Sequence, residues 1–282
     1  MNTYLHQKFN TSISKFLTHN SIQSLLIAIS GGQDSLCLIK LLETFRKYHN
    51  KLLKITYIYV DHQWKKDSYH QIKHLINIIK NYESQIIIYQ LKNITKSEVE
   101  ARKYRYQIII QYANLYNYST ILTGHTKTDK IETFWQQILR GTSLDGITSL
   151  KEYRKLKNKI YIYRPLLKFD RQEIYWFCRK FYLSIWSDIT NYEYKITRNR
   201  LRHELIPYIY RYFTQNAESK ICQFINISNL DNEYIKQNAI KLYLISRHTT
   251  NIALNYKFIC QQHQALQIKT LQIFFFTTLT YA

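Results

Sequence analysis

Residues 25–42 read LLIAISGGQDSLCLIKLL: five apolar residues, the hexapeptide Ser30-Gly31-Gly32-Gln33-Asp34-Ser35, and then an apolar pattern of helical period. A strand that turns through glycine into a helix presents backbone N–H groups at a positive helix end, which is an anion site. A loop built to hold β and γ phosphates would read G-x-x-x-x-G-K-[ST]. That lysine is missing here, so the chemistry of the cradle has to be read from its surroundings.

Working outward, short apolar runs alternate with stretches of helical period. The pattern predicts strands over Leu25–Ile29, Ile55–Val60, Gln85–Leu91 and Thr120–Thr123, and helices over 35–48, 67–82, 97–117 and 130–140. Such alternation implies parallel strands joined by helical crossovers, hence an α/β fold with a doubly wound parallel sheet. Ligands collect at the carboxyl ends of the strands in these sheets. The residues there are the hexapeptide, Asp61-His62 and Gly124-His125. Further strand character appears in IYIYRPLL (160–167), Asp170 is placed to cap a helix, and 197–213 reads as helical. We expect a first domain over 1–210 and a smaller helical C-terminal domain over 211–282. Ahead of the sheet, Phe9, Ile13, Phe16 and Leu17 are spaced for an amphipathic first helix.

The chain has only five glycines, all at expected strand ends or in the loop RGTSLDG. A composition that avoids glycine keeps it where backbone must take φ > 0 or come close to a ligand.

Charge narrows the partner. Forty Lys and Arg against nineteen Asp and Glu leave +21, which points to a polyanion. Abundant Lys, Asn, Ile, Tyr and Phe also suggest an A/T-rich genome, that of a plastid or a reduced bacterium. The amino terminus has no continuous apolar core, so secretion is not expected. The tail LQIFFFTTLTYA is too short to cross a bilayer and follows Lys269, so no membrane role is expected. Cys37, Cys178, Cys222 and Cys260 lie far apart, signal no zinc or iron–sulfur site, and are expected to be buried thiols.

Several ordered motifs now bear on the cradle: Asp61-His62, EVEARKYRY (98–106), TGHTKTDKIETF (123–134), LRGTSLDGI (139–147), RPLL (164–167), WSDITN (186–191) and RNRLRHELIP (198–207). The hexapeptide resembles the signature loop of the N-type ATP pyrophosphatases, whose fold is adenine nucleotide alpha hydrolase-like. The ordered set, over roughly 22–210, resembles the tRNA(Ile)-lysidine synthases within that superfamily. In TGHTKTDKIETF, Thr126, Thr128 and Lys130 depart from the family pattern, whereas His125, Asp129, Glu132 and Thr133 match it.

The resemblance implies cleavage of ATP between its α and β phosphates. The C2 carbonyl oxygen of the wobble cytidine in a CAU-anticodon isoleucine tRNA becomes adenylated, and the ε-amine of free L-lysine then displaces AMP. It implies that Ser30, Gly31, Gly32, Gln33, Asp34, Ser35, Asp61 and Gly124 bind ATP, with Asp34 and Asp129 on Mg2+. It further implies that Asp34, Arg102, His125, Asp129 and Glu132 are catalytic, the last two open to magnesium or to the ammonium of lysine. Arg102, Arg105, Arg198, Arg200 and Arg202 would bind substrate, the last three through an anticodon-loop or an ATP-phosphate contact, or else form a solvated basic face. Glu98, Arg102 and Tyr106, four apart on a helix, would offer phosphate contact and base stacking, or a solvated ion pair. A homodimer stays open, as does the compartment: plastid stroma, or the cytoplasm of an A/T-rich bacterium. The alternatives are another tRNA-modifying member such as a thiolase, and a noncatalytic tRNA-binding protein.

Overall fold

The computed structural model describes residues 3–63, 68–91, 97–156, 160–186, 194 and 196–279, and the backbone alone at Glu98. Two compact units are present: Met1–Glu132 with Leu150–Leu205, and Thr133–Ser149 with Ile206–Ala282.

The first unit is built on strands β1 (Ser24–Ile29), β2 (Lys54–Asp61), β3 (Gln85–Gln90), β4 (Thr120–Thr123), β5 (Tyr153–Lys155) and β6 (Tyr161–Tyr163). They form one sheet in the order β3-β2-β1-β4-β6-β5, parallel except for β5. Its helices are α1 (Tyr4–His19), α2 (Gln33–His49), α3 (Ser68–Lys80), α4 (Glu98–Leu115), α7 (Arg171–Lys180) and the turn α8 (Thr197–Arg200); α5 (Lys127–Leu139) begins here after β4 and continues into the second unit, which also contains α6 (Leu144–Ile147). The sheet is the doubly wound one expected, and the four principal strands end within one residue of their expected limits.

Central β1 is covered on both faces, which is why its sequence is continuously apolar rather than alternating. Leu25, Ile27 and Ile29 join the core beneath α1, α2, α3 and α7, while Leu26 joins Ile58, Val60, Ile108 and Ile109 on the α4 side. The first helix buries Leu5, Phe9, Ile13 and Leu17. Its amino end is closed reciprocally by Thr3 and by His6, which replaces the usual Glu or Gln at that position.

Two expectations shift. The run at 160–167 is a strand only to Tyr163, because Pro165 has no N–H to give a ladder and 165–168 fold into a turn. Strand β5 was not anticipated: three exposed residues carry no alternation to read. The motif WSDITN lies outside the described residues after Trp186.

The second unit is helical, with α9 (Ile206–Tyr212), α10 (Ala217–Ser246), α11 (Tyr256–Cys260) and α12 (Gln264–Leu279). Helices α10 and α12 pack together, the Thr270 hydroxyl donating to the Ala239 carbonyl at 3.4 Å. Asp145 is bound there by Lys236, Lys269 and Asn232. The thiols correct one expectation: Cys37 and Cys178 are buried, but Cys222 is only partly covered and Cys260 is exposed. Among the described residues, no helix is long and apolar enough to cross a membrane.

Candidate functional site

The sheet changes winding direction between β1 and β4, and both strands end in glycine-containing turns. At β1, Gly31 takes φ +79°, a conformation that side chains disfavour. A β-carbon there would stand 2.8 Å from Nε2 of Gln71. That amide from α3 donates to the Ser30 carbonyl at 2.8 Å and accepts from the Tyr59 hydroxyl at 3.2 Å, bracing the turn. Ser35 closes it internally: its Oγ accepts from the Ser30 N–H at 3.0 Å and shares a hydrogen bond with Ser30 Oγ at 3.0 Å.

Gly32 caps α2 and has no side chain to satisfy the first-turn N–H groups, so a helix of seventeen residues opens toward the crevice with donors for an anion. Buried Nε2 of Gln33 also has no partner. A cradle with an orphaned donor and an open helix end fits the phosphates of ATP. Gly124, at the end of β4, lies against this first turn, 3.5 Å from Asp34 backbone atoms as measured from an ideal β-carbon. Asp61 is buried at the end of β2, where its Oδ1 accepts from the Gln63 N–H at 2.9 Å.

Across the crevice, the first turn of α5 and the α8 segment bring four charges together. Asp129 Oδ2 accepts from the Thr126 N–H at 2.7 Å and hydroxyl at 3.1 Å, and Oδ1 binds the Arg198 guanidinium. Glu132, fully buried, takes Arg198 Nε on one oxygen and Arg202 Nε on the other, both at 2.5 Å. A π-helical turn over Leu201–Leu205 follows α8. Arg198 and Arg202 point inward, whereas Arg200 is exposed and pairs with Glu204 at 3.1 Å. Burial alone would raise the Asp129 carboxyl, but Arg198 and the Thr126 N–H hold it below the usual range.

Asp34, in the first turn of α2, faces the opposite balance. Burial, and then the charge of Asp129, push its carboxyl up to about 6, with Arg171 and Arg202 only partly offsetting them. An acid so placed is stabilised by a cation and fits a magnesium site. His125 is held by Thr123, with Oγ1 and Nδ1 2.8 Å apart, and burial lowers its pKa to about 3. Its imidazole is therefore neutral at physiological pH and serves as a hydrogen-bonding group rather than a proton-carrying acid.

The remaining expected RNA ligands lie on α4. Arg102 is exposed, with its guanidinium 6.0 Å from the centre of the Tyr106 ring. Arg105 contacts His62 Nε2 through Nη2 at 2.8 Å. The Glu98 side chain is outside the described part. Sequence reasoning did not single out Gln71 or Arg171; it named Thr126 only as a departure from the family pattern, and Arg164 carried a signal only through its place in RPLL.

Sheet order, lysine-free loop and crevice define a PP-loop nucleotide-binding protein, and a PP-loop domain profile matches residues 5–209. The tRNA(Ile)-lysidine synthase of the Gracilaria tenuistipitata chloroplast is 48% identical, the match covering 97% of this chain and 86% of that one. Those of the Pyropia yezoensis chloroplast and of Nostoc are 40% and 38% identical, over 99% and 85% of this chain and 84% and 70% of theirs. The chain belongs to the tRNA(Ile)-lysidine synthase family. Among solved structures, the U34-tRNA thiolase NcsA of Methanococcus maripaludis superposes with a TM-score of 0.67, covering 81% of this chain and 77% of that one. At 15% identity this likeness speaks for the fold alone.

Proposed function

We propose that the chain is an ATP-dependent ligase that joins free lysine to C2 of the wobble cytidine of CAU-anticodon isoleucine tRNA, converting decoding from AUG to AUA. The observation that carries this reading is the likeness to lysidine synthases over nearly the whole chain, including every strand that supplies the crevice. ATP lies with its departing pyrophosphate on Ser30 to Ser35 and the α2 amino end, and with Asp61 and Gly124 beside it. Asp34 holds magnesium, with Asp129 adding negative charge behind it. The ion, when bound, neutralises phosphate charge.

The cytidine enters from the α4 side, out of its stack, against Arg102 and Arg105. Neutral His125 orients the acceptor carbonyl or the α-phosphate. Asp129 and Glu132, with Arg198 and Arg202, form a receptor suited to a zwitterion: guanidinium for the α-carboxylate, carboxylates for an amine. Arg200, exposed, meets RNA outside the crevice. We assign the chemistry to 1–210 and tRNA contact to 211–282, the plastid stroma as compartment, and a homodimer as the form to test by light scattering. A noncatalytic tRNA-binding role has no specific observation in its favour, and a thiolase has only the distant fold likeness.

The test is incorporation of radiolabelled lysine into unmodified isoleucine tRNA with ATP and magnesium, initiator and elongator methionine tRNAs serving as controls. Label in the isoleucine tRNA alone is expected. Asp34→Asn should lower turnover by about 100-fold or more while leaving tRNA affinity within about twofold. Absence of label from protein that binds ATP and tRNA would overturn the assignment.

A further inference from the structure

Arg164 follows β6 directly, beside the strand that leads to His125: Tyr163 is in register with Leu122 of β4. Its side chain is only 5% exposed. Nη1 donates to the Lys151 carbonyl at 2.8 Å, the Tyr106 hydroxyl acts on it from α4, and buried Nε has no partner. Among the described residues no carboxylate pairs with it. Glu152, whose carbonyl accepts from the Arg164 N–H, gives its carboxylate to Lys168 instead. Two more guanidiniums act on Arg164, Arg102 from α4 and Arg154 from β5. Burial lowers its pKa, and those two charges add to that against the opposing contribution of Tyr106. Both neighbours are exposed.

Three guanidiniums gathered without an acid, one of them buried with a donor unspent, make a site that an anion stabilises. The anion is not the pyrophosphate of ATP. The loop that cradles it follows β1, two strands away in the order β1-β4-β6, roughly 10 Å at the usual strand spacing. Arg164 and Arg102 both act electrostatically on His125, so this pair borders the acceptor side of the crevice, with Arg154 beside Arg164. A nucleotide drawn out of its stack brings its own backbone phosphates to that side.

We propose that Arg164, Arg102 and Arg154 form a subsite for a backbone phosphate flanking the nucleotide to be modified, with Arg164 as its buried floor and the other two as its rim. The inference rests on the tRNA-modifying reading above. Arg164 and Arg154 thereby become positioning residues for the RNA, separate from the ATP cradle.

The experiment measures binding of a CAU anticodon stem-loop RNA as a function of salt, together with KM for ATP and for tRNA. It compares the full-length protein with Arg164→Gln, Arg164→Lys and the exposed Arg154→Gln. Arg164→Gln should weaken RNA binding by about 10-fold and lower the salt slope by close to 1, leaving KM for ATP within about twofold. Arg164→Lys should restore the slope, and Arg154→Gln should act in the same sense with a smaller effect. A methylphosphonate at one phosphate flanking the cytidine should weaken binding to the wild type but not to Arg164→Gln. A rise in KM for ATP with unchanged RNA binding would overturn the proposal, as would an unaltered salt slope in both Gln variants. Because the binding arm does not depend on turnover, failure of the subsite is distinguishable from failure of lysine incorporation in the wild type.

Discussion

Gly31 shows how much a single position can settle. Its φ of +79° would cost an alanine about 1–2 kcal/mol, and the new β-carbon would push on Nε2 of Gln71, the amide that fixes the Ser30 carbonyl. Gly31→Ala is expected to lower stability by that amount in urea unfolding and to raise KM for ATP, leaving RNA affinity unchanged. A variant with normal stability and normal KM would mean that the turn tolerates a side chain. At this scale the loop was legible beforehand, because a small-residue hexapeptide between strand and helix has few other uses. Gln71 and Arg164 were not. Their importance comes from burial and from what they meet, and neither is written in local spacing.

Among elements, β1 to β4 and their crossovers were readable because short apolar runs alternate with stretches of helical period. The α8 segment was only half readable. Its spacing showed that its arginines cannot all face one way, but not that Arg198 and Arg202 turn toward Asp129 and Glu132 while Arg200 turns out. In the helical unit the informative group is Asp145. Burial opposes its ionisation, but hydrogen bonds from Lys236, Lys269 and Asn232 outweigh burial and hold its carboxyl below the ordinary range. A depressed carboxyl stabilises the fold above its unfolded pKa, and that contribution is lost as pH falls through the folded value. Asp145 is partly solvent-exposed, so the effect is screened to about 1 kcal/mol. Asp145→Asn should therefore lower the urea midpoint by a constant amount between pH 8 and pH 5, and the gap from wild type should narrow below about pH 4. A gap that widened in acid would contradict the ion-pair account.

For the whole molecule, the charge of +21 makes RNA association an ionic-strength experiment. If six or more phosphates are met, raising salt from 50 to 200 mM should cost on the order of 10³ in tRNA affinity. A flat salt response in a filter-binding titration would detach the basic composition from RNA recognition and leave it to codon bias. Composition announced the polyanion, and ordered motifs narrowed it to one substrate class. Neither disclosed how the chain divides in space.

That division has a lineage-level meaning. The helical unit draws Thr133–Ser149 from the middle of the chain as well as Ile206–Ala282 from its end. Asp145 belongs to the first piece, whereas Lys236 and Lys269 belong to the second. Deleting the later helices would therefore also alter the inner piece. Losing the later helices would strand an inner segment whose counter-charges had vanished, so erosion from the end and repair near residue 145 would have to proceed together.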